Sequence, residues 1–407
     1  MSGALSGSVD GTVTGAVTGA TSRAVGRSVP PGLRPAMDDE RLARAAWSRL
    51  AEPGDAAAAA LVGEVGAALA LEAVVTGRGP ARWRSRLQDV DPVADLATAR
   101  AVGARLVVPG DEEWPATLDD LAHAAAGDGR PLGVPACLWV RGPLRLDAVA
   151  ARSAALVGSR AATGYGEHVT AELAAGLADR GWAVVSGGAY GIDAAAHRAA
   201  LAVGGASVAV LACGVDRSYP SGNAALLARL AREGAVLSEV PPGSTPTRWR
   251  FLERNRLIAA LTGGTVVVEA TWRSGALSTA DRAERLLRPV GAVPGPVTSP
   301  ASAGCHRLLR ERGAVCVTGP DEVAELLGRV GEVHAAPPPQ EVRFFDGLSA
   351  DELRVAESLP LRGAATTGRL VRDAGLDEGS VRAALGRLEL AGLAARDEGG
   401  WRLARRP

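Results

Sequence analysis

The sequence predicts an α/β protein built on a doubly wound parallel sheet, with a small helical domain before it and another small domain after it. From about residue 106 to 330, short runs of β-branched and apolar residues alternate with stretches of helical apolar spacing. Those runs contain few polar residues, which is typical of strands covered by helices on both faces. Apolar residues make up 47% of the 407-residue chain, enough for two or three domains with at least one large core.

The predicted strands are short, and a helical pattern separates each from the next. Strands are expected at 154–157, 183–185, 207–211, 235–237, 265–268 and 290–293. The first two crossover helices are expected from about 164 to 180 and from about 192 to 202. Because adjacent parallel strands need a long crossover connection, this spacing indicates repeated β-α units.

The chain on either side of the sheet region divides into four further parts. Residues 1–37 are rich in Gly, Ser, Thr and Val, and predict a disordered leader or a misassigned start, with Met37 as an alternative start. Short apolar stripes in residues 38–105 predict a small helical domain of the SAM or helix-hairpin-helix type, or a plain helical bundle. Residues 331–345 contain three consecutive prolines, typical of a stiff linker. Residues 346–407 show three helical patterns and then a hairpin pattern, the order of a winged helix.

Composition excludes some classes of function. The chain has 45 basic and 45 acidic residues and no lysine, so the lysine of a P-loop nucleotide site is missing and any basic site must be local. The four cysteines lack CxxC spacing, which predicts reduced thiols in a cytoplasmic protein without a cysteine metal site. No run of about 18 apolar residues occurs, so no membrane-spanning helix is expected.

Two glycine-containing turns are the first candidates for a binding site. Gly158-Ser159-Arg160 follows one predicted strand, and Gly187-Gly188 follows the next. Ligands of doubly wound sheets bind at the carboxyl ends of strands, where backbone N–H groups at a helix start favour an anion. The alternative is that these glycines only let helix pack on strand. Two such turns on neighbouring strands, one with an arginine, favour a phosphate-binding cleft.

Asp193 and His197 lie four residues apart at a predicted helix start and share one face. Such a pair is compatible with acid–base chemistry or with two metal ligands. No third ligand with suitable spacing is visible, so we predict a structural role, with Asp193 capping the helix.

The segment 248–256 is the most informative stretch of the chain. It carries four arginines, one glutamate and two aromatic residues, in a chain that is only 3% aromatic. Arginines that hold phosphates beside rings that stack on bases are typical of a single-strand nucleic-acid site. The alternative is a solvated helix start with Trp249 and Phe251 in the core. We expect one ring to belong to the core and the other to the ligand.

Taken in order, these segments resemble the DprA/Smf family of DNA-processing proteins over residues 105 to 320. Each match is weak alone, and their order along the chain is specific. The matching segments include Val157-Gly158-Ser159-Arg160, Ser186-Gly187-Gly188-Ala189, Gly191-Ile192-Asp193 with His197, Gly214-Val215-Asp216 with Tyr219-Pro220 and Asn223, Phe251-Leu252-Glu253-Arg254-Asn255-Arg256, Val268-Glu269-Ala270, Ser274-Gly275-Ala276-Leu277 and Val293-Pro294-Gly295-Pro296.

The resemblance implies an extended Rossmann-like domain that is not an enzyme and needs no cofactor or metal. It implies a homodimer that binds and protects incoming single-stranded DNA and loads the RecA recombinase during natural transformation. Carried over to this chain, the DNA-binding residues are Gly158, Ser159, Arg160, Gly187, Gly188, Arg248, Trp249, Phe251, Arg254, Asn255 and Arg256.

Two other functions remain as alternatives. A nucleotide hydrolase of the lysine-decarboxylase-like (LOG) group would need a Pro-Gly-Gly-x-Gly-Thr-x-x-Glu loop, and neither 186–193 nor 293–296 supplies it. A winged-helix transcription regulator would bind duplex DNA through residues 346–407. That segment has ten arginines and ten acidic residues, whereas binding to duplex phosphates favours an excess of positive charge.

Overall fold

The computed structural model describes residues 29–127, 129–328 and 347–404. The chain divides into two compact units, with the boundary between residues 335 and 336. The first unit contains a helical segment and a large sheet, and the second is small. The predicted linker at 331–345 and residues 1–28 of the predicted leader lie outside the described residues.

The first unit opens with a helical segment packed around Trp47, Leu71 and Val74, which are buried. Aspartates cap the first two of its α-helices: Asp39 accepts hydrogen bonds from Arg41 N and Leu42 N, and Asp55 accepts from Ala57 N and Ala58 N. The helices are α1 (Glu40–Leu50), α2 (Ala56–Val65), α3 (Ala67–Val75), α4 (Ala81–Arg84) and α5 (Pro92–Ala101), with short 3-10 helices at Pro31–Met37 and Leu87–Asp89.

The leader predicted to end at residue 37 extends too far. Residues Pro31–Met37 form a 3-10 helix whose Leu33 and Ala36 are fully buried against the helical segment. Their burial was missed because two prolines and a glycine obscure any helical period in this stretch. A chain begun at Met37 would therefore lose part of this core.

Within the described ranges, no single helix is long and apolar enough to cross a membrane. Helices α2 and α3 meet the length and composition required only as a pair, which is bent by 115°.

Nine strands of the described residues form one mixed sheet in the order β1-β2-β6-β5-β4-β3-β7-β8-β9. The strands from β3 onward are mutually parallel where they pair, whereas β2 is antiparallel to both β1 and β6. The six predicted strands are confirmed to within one residue at each end. The strands are β1 (Ala104–Val107), β2 (Leu138–Arg141), β3 (Ser153–Val157), β4 (Ala183–Ser186), β5 (Ser207–Leu211), β6 (Ala235–Ser238), β7 (Thr265–Val267), β8 (Val290–Ala292) and β9 (Val315–Cys316).

Helices cover both faces of this sheet, as the apolar strands predicted. On one face, Leu173, Ile192 and Val323 pack against Leu156 of β3. On the other face, Leu257 and Leu261 of the helix that begins at Arg248 pack in one cluster with Val157 of β3. The helices of this region are α6 (Leu146–Ala151), α7 (Gly164–Asp179), α8 (Ile192–Ala202), α9 (Ala224–Glu233), α10 (Arg248–Leu261), α11 (Ala276–Arg285), α12 (Ala303–Glu311) and α13 (Pro320–Leu327), with 3-10 turns at Ala116–Ala122, Ser221–Asn223 and Pro300–Ser302.

The order of the parallel strands places a crevice at one point of the sheet. The chain proceeds from β3 through β4 and β5 to β6 in one direction, then crosses back along α10 and proceeds from β7 to β9 in the other. Strands β3 and β7 are neighbours, so the loops that leave their carboxyl ends diverge. This topological switch point is where doubly wound sheets bind their ligands.

In residues 347–404, the described part of the second unit, three helices precede a hairpin. Its helices are α14 (Ala350–Ser358), α15 (Thr367–Ala374) and α16 (Glu378–Leu390), followed by the antiparallel strands β10 (Ala394–Asp397) and β11 (Gly400–Leu403). Ser349 and Glu352 form a capping box at the start of α14. Val355, Leu370 and Leu385 form its buried core.

Candidate functional site

A cleft of about 710 Å³ opens at the switch point. Three parts of the chain form its walls: the loop after β3, the first turns of α10, and the loop between β7 and α11. Seven of the eleven predicted DNA-binding residues line it, namely Gly158, Ser159, Arg160, Arg248, Phe251, Arg254 and Asn255. The topology therefore brings together two segments that are almost 90 residues apart in the sequence.

The loop after β3 is held rigidly and presents Arg160 to solvent. A side chain at Gly158 would place its Cβ 2.5 Å from Ile192 Cγ1, so only glycine fits there. Ser159 N donates to Glu269 O at 2.7 Å, and Ser159 Oγ exchanges hydrogen bonds with the backbone of Ala161. Ser159 therefore shapes the loop, and its backbone N–H is already occupied.

The helix start behind this loop is filled by a carboxylate of the chain itself. Glu269, which is 1% exposed, accepts hydrogen bonds from Thr163 N at 3.0 Å and from Thr163 Oγ1 at 2.6 Å. Thr163 is the residue that caps α7. The anion site predicted at this helix start is thus occupied internally, because a buried carboxylate satisfies the free donors there.

The second predicted anion turn, after β4, is occupied in the same way. Gly187 and Gly188 are buried and do not line the cleft, which corrects their predicted position. Gly187 N and Ala189 N donate to Asp193 Oδ2 at 3.1 and 3.4 Å. A Cβ at Gly187 would lie 2.2 Å from the Arg254 guanidinium, so this glycine is required for packing.

Asp193 and His197 have structural roles, and each forms hydrogen bonds with its own partners. Asp193 organises the turn before α8, but it does not cap that helix as predicted, because Gly191 precedes α8 without a side-chain cap. His197 is fully buried, with Nδ1 2.8 Å from Ser207 Oγ. Burial lowers the pKa of His197 to about 3, so the imidazole is neutral at physiological pH.

Helix α10 supplies the basic and aromatic wall of the cleft. Thr247 starts the helix by accepting a hydrogen bond from Arg250 N at 3.2 Å. The half-buried Phe251 ring lies 5.1 Å from the Arg160 guanidinium and 5.6 Å from the Tyr219 ring. Arg160, Phe251 and Tyr219 therefore form one continuous surface across the mouth of the cleft.

Arg254 forms the floor of the cleft. It is 7% exposed, and its Nη1 donates to the carbonyl oxygens of Gly187 and Val210. Burial lowers the pKa of Arg254, while the charge of Asp193 opposes that effect. Burial also raises the pKa of Asp193, against the opposing effect of Arg254. In the described chain the buried Nε of Arg254 has no hydrogen-bond partner, so one donor is left at the floor.

Arg256 is not a cleft residue, which corrects the sequence-based prediction. It is 1% exposed, and both of its terminal nitrogens donate to the Glu239 carboxylate at 2.7 Å. Its Nε donates to the backbone oxygens of Leu132 and Gly133. Burial lowers the pKa of Arg256, but the charge and hydrogen bonding of Glu239, together with the charge of Glu253, outweigh this effect and leave the pKa raised.

Trp249 lies outside the switch-point cleft. Its indole is 51% exposed, donates to Pro53 O at 3.2 Å, and borders a second cleft of about 770 Å³ beside the helical segment. That second cleft is less suited to phosphates, because its arginines face carboxylates at short range. The pairs are Arg82–Asp55, Arg86–Glu52, Arg282–Glu253 and Arg285–Asp281.

Two arginines of the switch-point cleft are free to bind a ligand, unlike the ion-paired arginines of the second cleft. Arg160 and Arg248 are exposed, and neither forms an ion pair with any carboxylate in the ranges that the structure describes. Exposed, unpaired guanidinium groups retain their full capacity for bidentate bonds to phosphate. The cleft is therefore locally basic although the chain as a whole is neutral.

Tyr219 is a cleft residue that the sequence-based site prediction missed. Its ring is 45% exposed and packs on Phe251. The sequence does point to this residue, because Tyr219-Pro220 is one of the segments that resemble the DprA/Smf family. The tyrosine precedes no glycine-rich turn and belongs to no basic cluster, so residue chemistry alone did not single it out.

The fold and the cleft define a doubly wound α/β protein with a basic, aromatic-lined switch point. Residues 105–328 match the family model described as DNA recombination-mediator protein A, and the chain belongs to this family. The family includes proteins named DNA processing proteins, and the fold found here, with its large, mostly parallel sheet, is theirs.

Individual relatives agree with that assignment. The chain is 50% identical over 374 residues to the DNA processing protein DprA of Mycobacterium tuberculosis (strain H37Rv), covering 91% of this chain and 96% of that protein. It is 40% identical over 191 residues to DprA of Streptococcus pneumoniae (strain R6), covering 47% of this chain and 67% of the relative. The X-ray structure of Streptococcus pneumoniae DprA superposes with a TM-score of 0.56 at 30% identity, over 74% of this chain and 97% of that one.

Proposed function

We propose that this protein binds single-stranded DNA in the switch-point cleft and acts as a recombination mediator without catalysing a reaction. The observation that carries the proposal is the surface formed by Arg160, Phe251 and Tyr219, with Arg248 exposed beside it. Guanidinium groups bind the phosphates, and the rings stack on bases. Stacking needs no particular base, so the site accepts any sequence.

The geometry favours a single strand over a duplex. In a duplex the base faces are stacked on one another and only base edges are open in the grooves. Phe251 and Tyr219 lie at a cleft of about 710 Å³, which holds a few nucleotides. Only unpaired bases reach rings in such a cleft. The phosphates bind to side chains, because Glu269 occupies the start of α7 and Asp193 takes up backbone N–H groups of the turn after β4.

The candidate acid of the cleft supports a binding role instead of hydrolysis. Asp193 lines the cleft, but its carboxylate holds the turn after β4 through Gly187 N and Ala189 N. A carboxylate engaged in this way is committed to the loop and is poorly placed to activate water. The relatives' names, which describe DNA processing, support the same conclusion.

Membership of the recombination-mediator family supports the remaining parts of the proposal. The protein works in the cytoplasm as a homodimer, protects incoming single strands and loads the RecA recombinase onto them during natural transformation. Residues 38–105 form a small helical domain of the SAM or helix-hairpin-helix type.

The second unit acts as a winged helix that contacts protein in preference to duplex DNA. Its helices α14 to α16 and the hairpin β10–β11 have the winged-helix order. Four of its arginines are already neutralised by carboxylates, in the pairs Arg369–Asp373, Arg382–Glu378, Arg387–Glu352 and Arg402–Asp397. Such pairing lowers the attraction for duplex phosphates.

A binding comparison tests the proposed function. Fluorescence anisotropy with a labelled oligothymidylate of about 20 nucleotides and with a duplex of the same length is measured with EDTA, with Mg²⁺ and with ATP. We expect preferential binding of the single strand, equally tight in all three conditions. Preference for the duplex, or a strict requirement for Mg²⁺ or ATP, would contradict the proposal.

A further inference from the structure

The exposed aromatic side chains of this protein are concentrated at one edge of the sheet. In the described ranges, five aromatic residues are more than 40% exposed. Each of them follows a different parallel strand, on the side of its carboxyl end. Tyr165 follows β3, Tyr190 follows β4, Tyr219 follows β5, Trp249 follows β6 and Trp272 follows β7.

The strand order arranges these residues along the sheet edge. Across the sheet the sequence is β6, β5, β4, β3 and β7, so Trp249 and Trp272 lie toward the two ends and the tyrosines between them. Neighbouring strands are about 4.7–4.9 Å apart, and four such steps span roughly 19 Å. The switch-point cleft lies within this span, with lining residues that follow β3, β4, β5 and β7. Neither Trp249 nor Trp272 lines it.

The rings are held in place by their polar ends. Tyr165 OH donates to Pro294 O at 2.5 Å, and Tyr190 OH accepts from Gly222 N at 3.2 Å. Trp272 packs one face against the Arg307 guanidinium at 5.1 Å and is still 50% exposed. Rings that are already fixed lose little conformational entropy when a ligand stacks on them. None of these contacts requires the rings to be exposed, so the fold alone does not account for their exposure.

Unpaired arginines accompany the rings. Arg217 lies two residues before Tyr219, Arg248 directly before Trp249, and Arg273 directly after Trp272. All three arginines are exposed, and none forms an ion pair with a carboxylate in the part of the chain that the structure describes. At the opposite edge of the sheet, the described residues include exposed aliphatic side chains such as Val203 and Leu287, and no exposed rings. Rings and cations thus recur together along the carboxyl-end edge.

We propose that this edge is a track for a single DNA strand longer than the cleft holds, with Trp272 and Arg273 forming a binding subsite outside it. This inference rests on the proposed function, which it extends from one cleft to a path across five strands. Bases stack on successive exposed rings, while the neighbouring arginines hold the phosphates between them. Continuity with the cleft and the positive charge of the edge select a nucleic-acid strand as the occupant.

Oligothymidylates of about 4 and about 12 nucleotides, within the site sizes typical of single-strand binders, test the track. We expect Trp272→Ala to weaken binding of the longer oligonucleotide roughly five- to 150-fold, the equivalent of 1–3 kcal/mol for one stacked base, and to leave the shorter one unchanged. Trp272→Phe should restore most of the affinity, since it restores a stacking face. Leu287→Ala is the matched control, because this residue is 93% exposed and lies at the opposite edge.

The possible outcomes separate this inference from the proposed function. If the wild-type protein binds neither oligonucleotide, the proposed function fails, and the track fails with it. If the wild-type protein binds both oligonucleotides, but Trp272→Ala keeps the wild-type affinity for the longer one, the proposed track is wrong. Binding of a single strand in the switch-point cleft would still be supported. Equal losses for both lengths would place Trp272 within the cleft and also overturn the track. Arg273→Ala should reduce the salt dependence for the longer oligonucleotide only, by about 0.7 in the log–log slope.

Discussion

Arg256→Ala is expected to destabilise the first unit by about 3–5 kcal/mol, because it leaves the Glu239 carboxylate without its buried partner. The wild-type guanidinium donates twice to Glu239 and three times to backbone oxygens, and is 1% exposed. Removing it also leaves the carbonyls of Leu132 and Gly133 without this donor. Urea unfolding followed by tryptophan fluorescence measures the change in the free energy of unfolding.

Two controls make the Arg256 prediction specific. Arg248→Ala, on the exposed first turn of the same helix, should change stability by no more than about 0.5 kcal/mol. A double variant, Glu239→Leu with Arg256→Met, should recover much of the lost stability, since it removes the unpaired charge. If Arg256→Ala is as stable as wild type and instead loses DNA affinity, the assignment of Arg256 to the core is wrong.

Phe251→Ala is expected to weaken single-strand binding by roughly 1–3 kcal/mol, the cost of one lost stacking contact. The ring also supports Arg160 and Tyr219 at 5.1 and 5.6 Å, so its loss loosens the surface on which the strand lies. The log–log slope of affinity against salt should change little, because no phosphate contact is removed directly. Anisotropy titrations at several salt concentrations measure both quantities.

Phe251→Tyr is the matched control for that experiment, since it keeps the ring and should bind nearly as wild type. Circular dichroism distinguishes a binding defect from loss of fold. A folded Phe251→Ala protein with wild-type affinity would show that bases do not stack in this cleft. An unfolded one would show that the ring belongs to the core, and Tyr219 would then be the stacking candidate.

The sheet was predictable because of how its strands are buried. Strands such as Ser207–Leu211 are covered on both faces, so they appear in the sequence as continuous apolar runs between glycine-rich turns. The antiparallel strands β1 and β2 were not predicted as such. Strand direction at a sheet edge depends on pairing with distant residues, as between Trp139 and Ser238, and leaves no local pattern.

The site was predicted less completely than the sheet. The arginines and rings of residues 248–256 were treated as one group, without asking which face of a helix each side chain would occupy. In a helix, residues three or four apart share a face. Arg248, Phe251 and Asn255 follow that spacing and line the cleft, whereas Trp249 and Arg256 lie on other faces. The helical period of 248–256 therefore contained a signal that could have separated the two sets.

Other parts of the site depend on contacts that no local pattern encodes. Glu269 reaches the start of α7 from more than 100 residues away, and thereby occupies the predicted anion position. The glycine-rich turns were correctly located at the carboxyl ends of strands, but the chain's own carboxylates use their backbone donors. Phosphate recognition consequently falls to arginine side chains.

The central claim is that phosphates of a single DNA strand bind to Arg160 and Arg248 in the switch-point cleft. The most direct test is a salt titration of single-strand affinity for wild type, Arg160→Ala and Arg248→Ala. Arg100→Ala, an exposed arginine of the helical segment, is the control and should keep the wild-type slope. We expect each cleft variant to bind more weakly and to reduce the log–log slope by about 0.7, the share of one phosphate on a single strand. Full wild-type slopes in both cleft variants would contradict the account, because these arginines would then contact no phosphate.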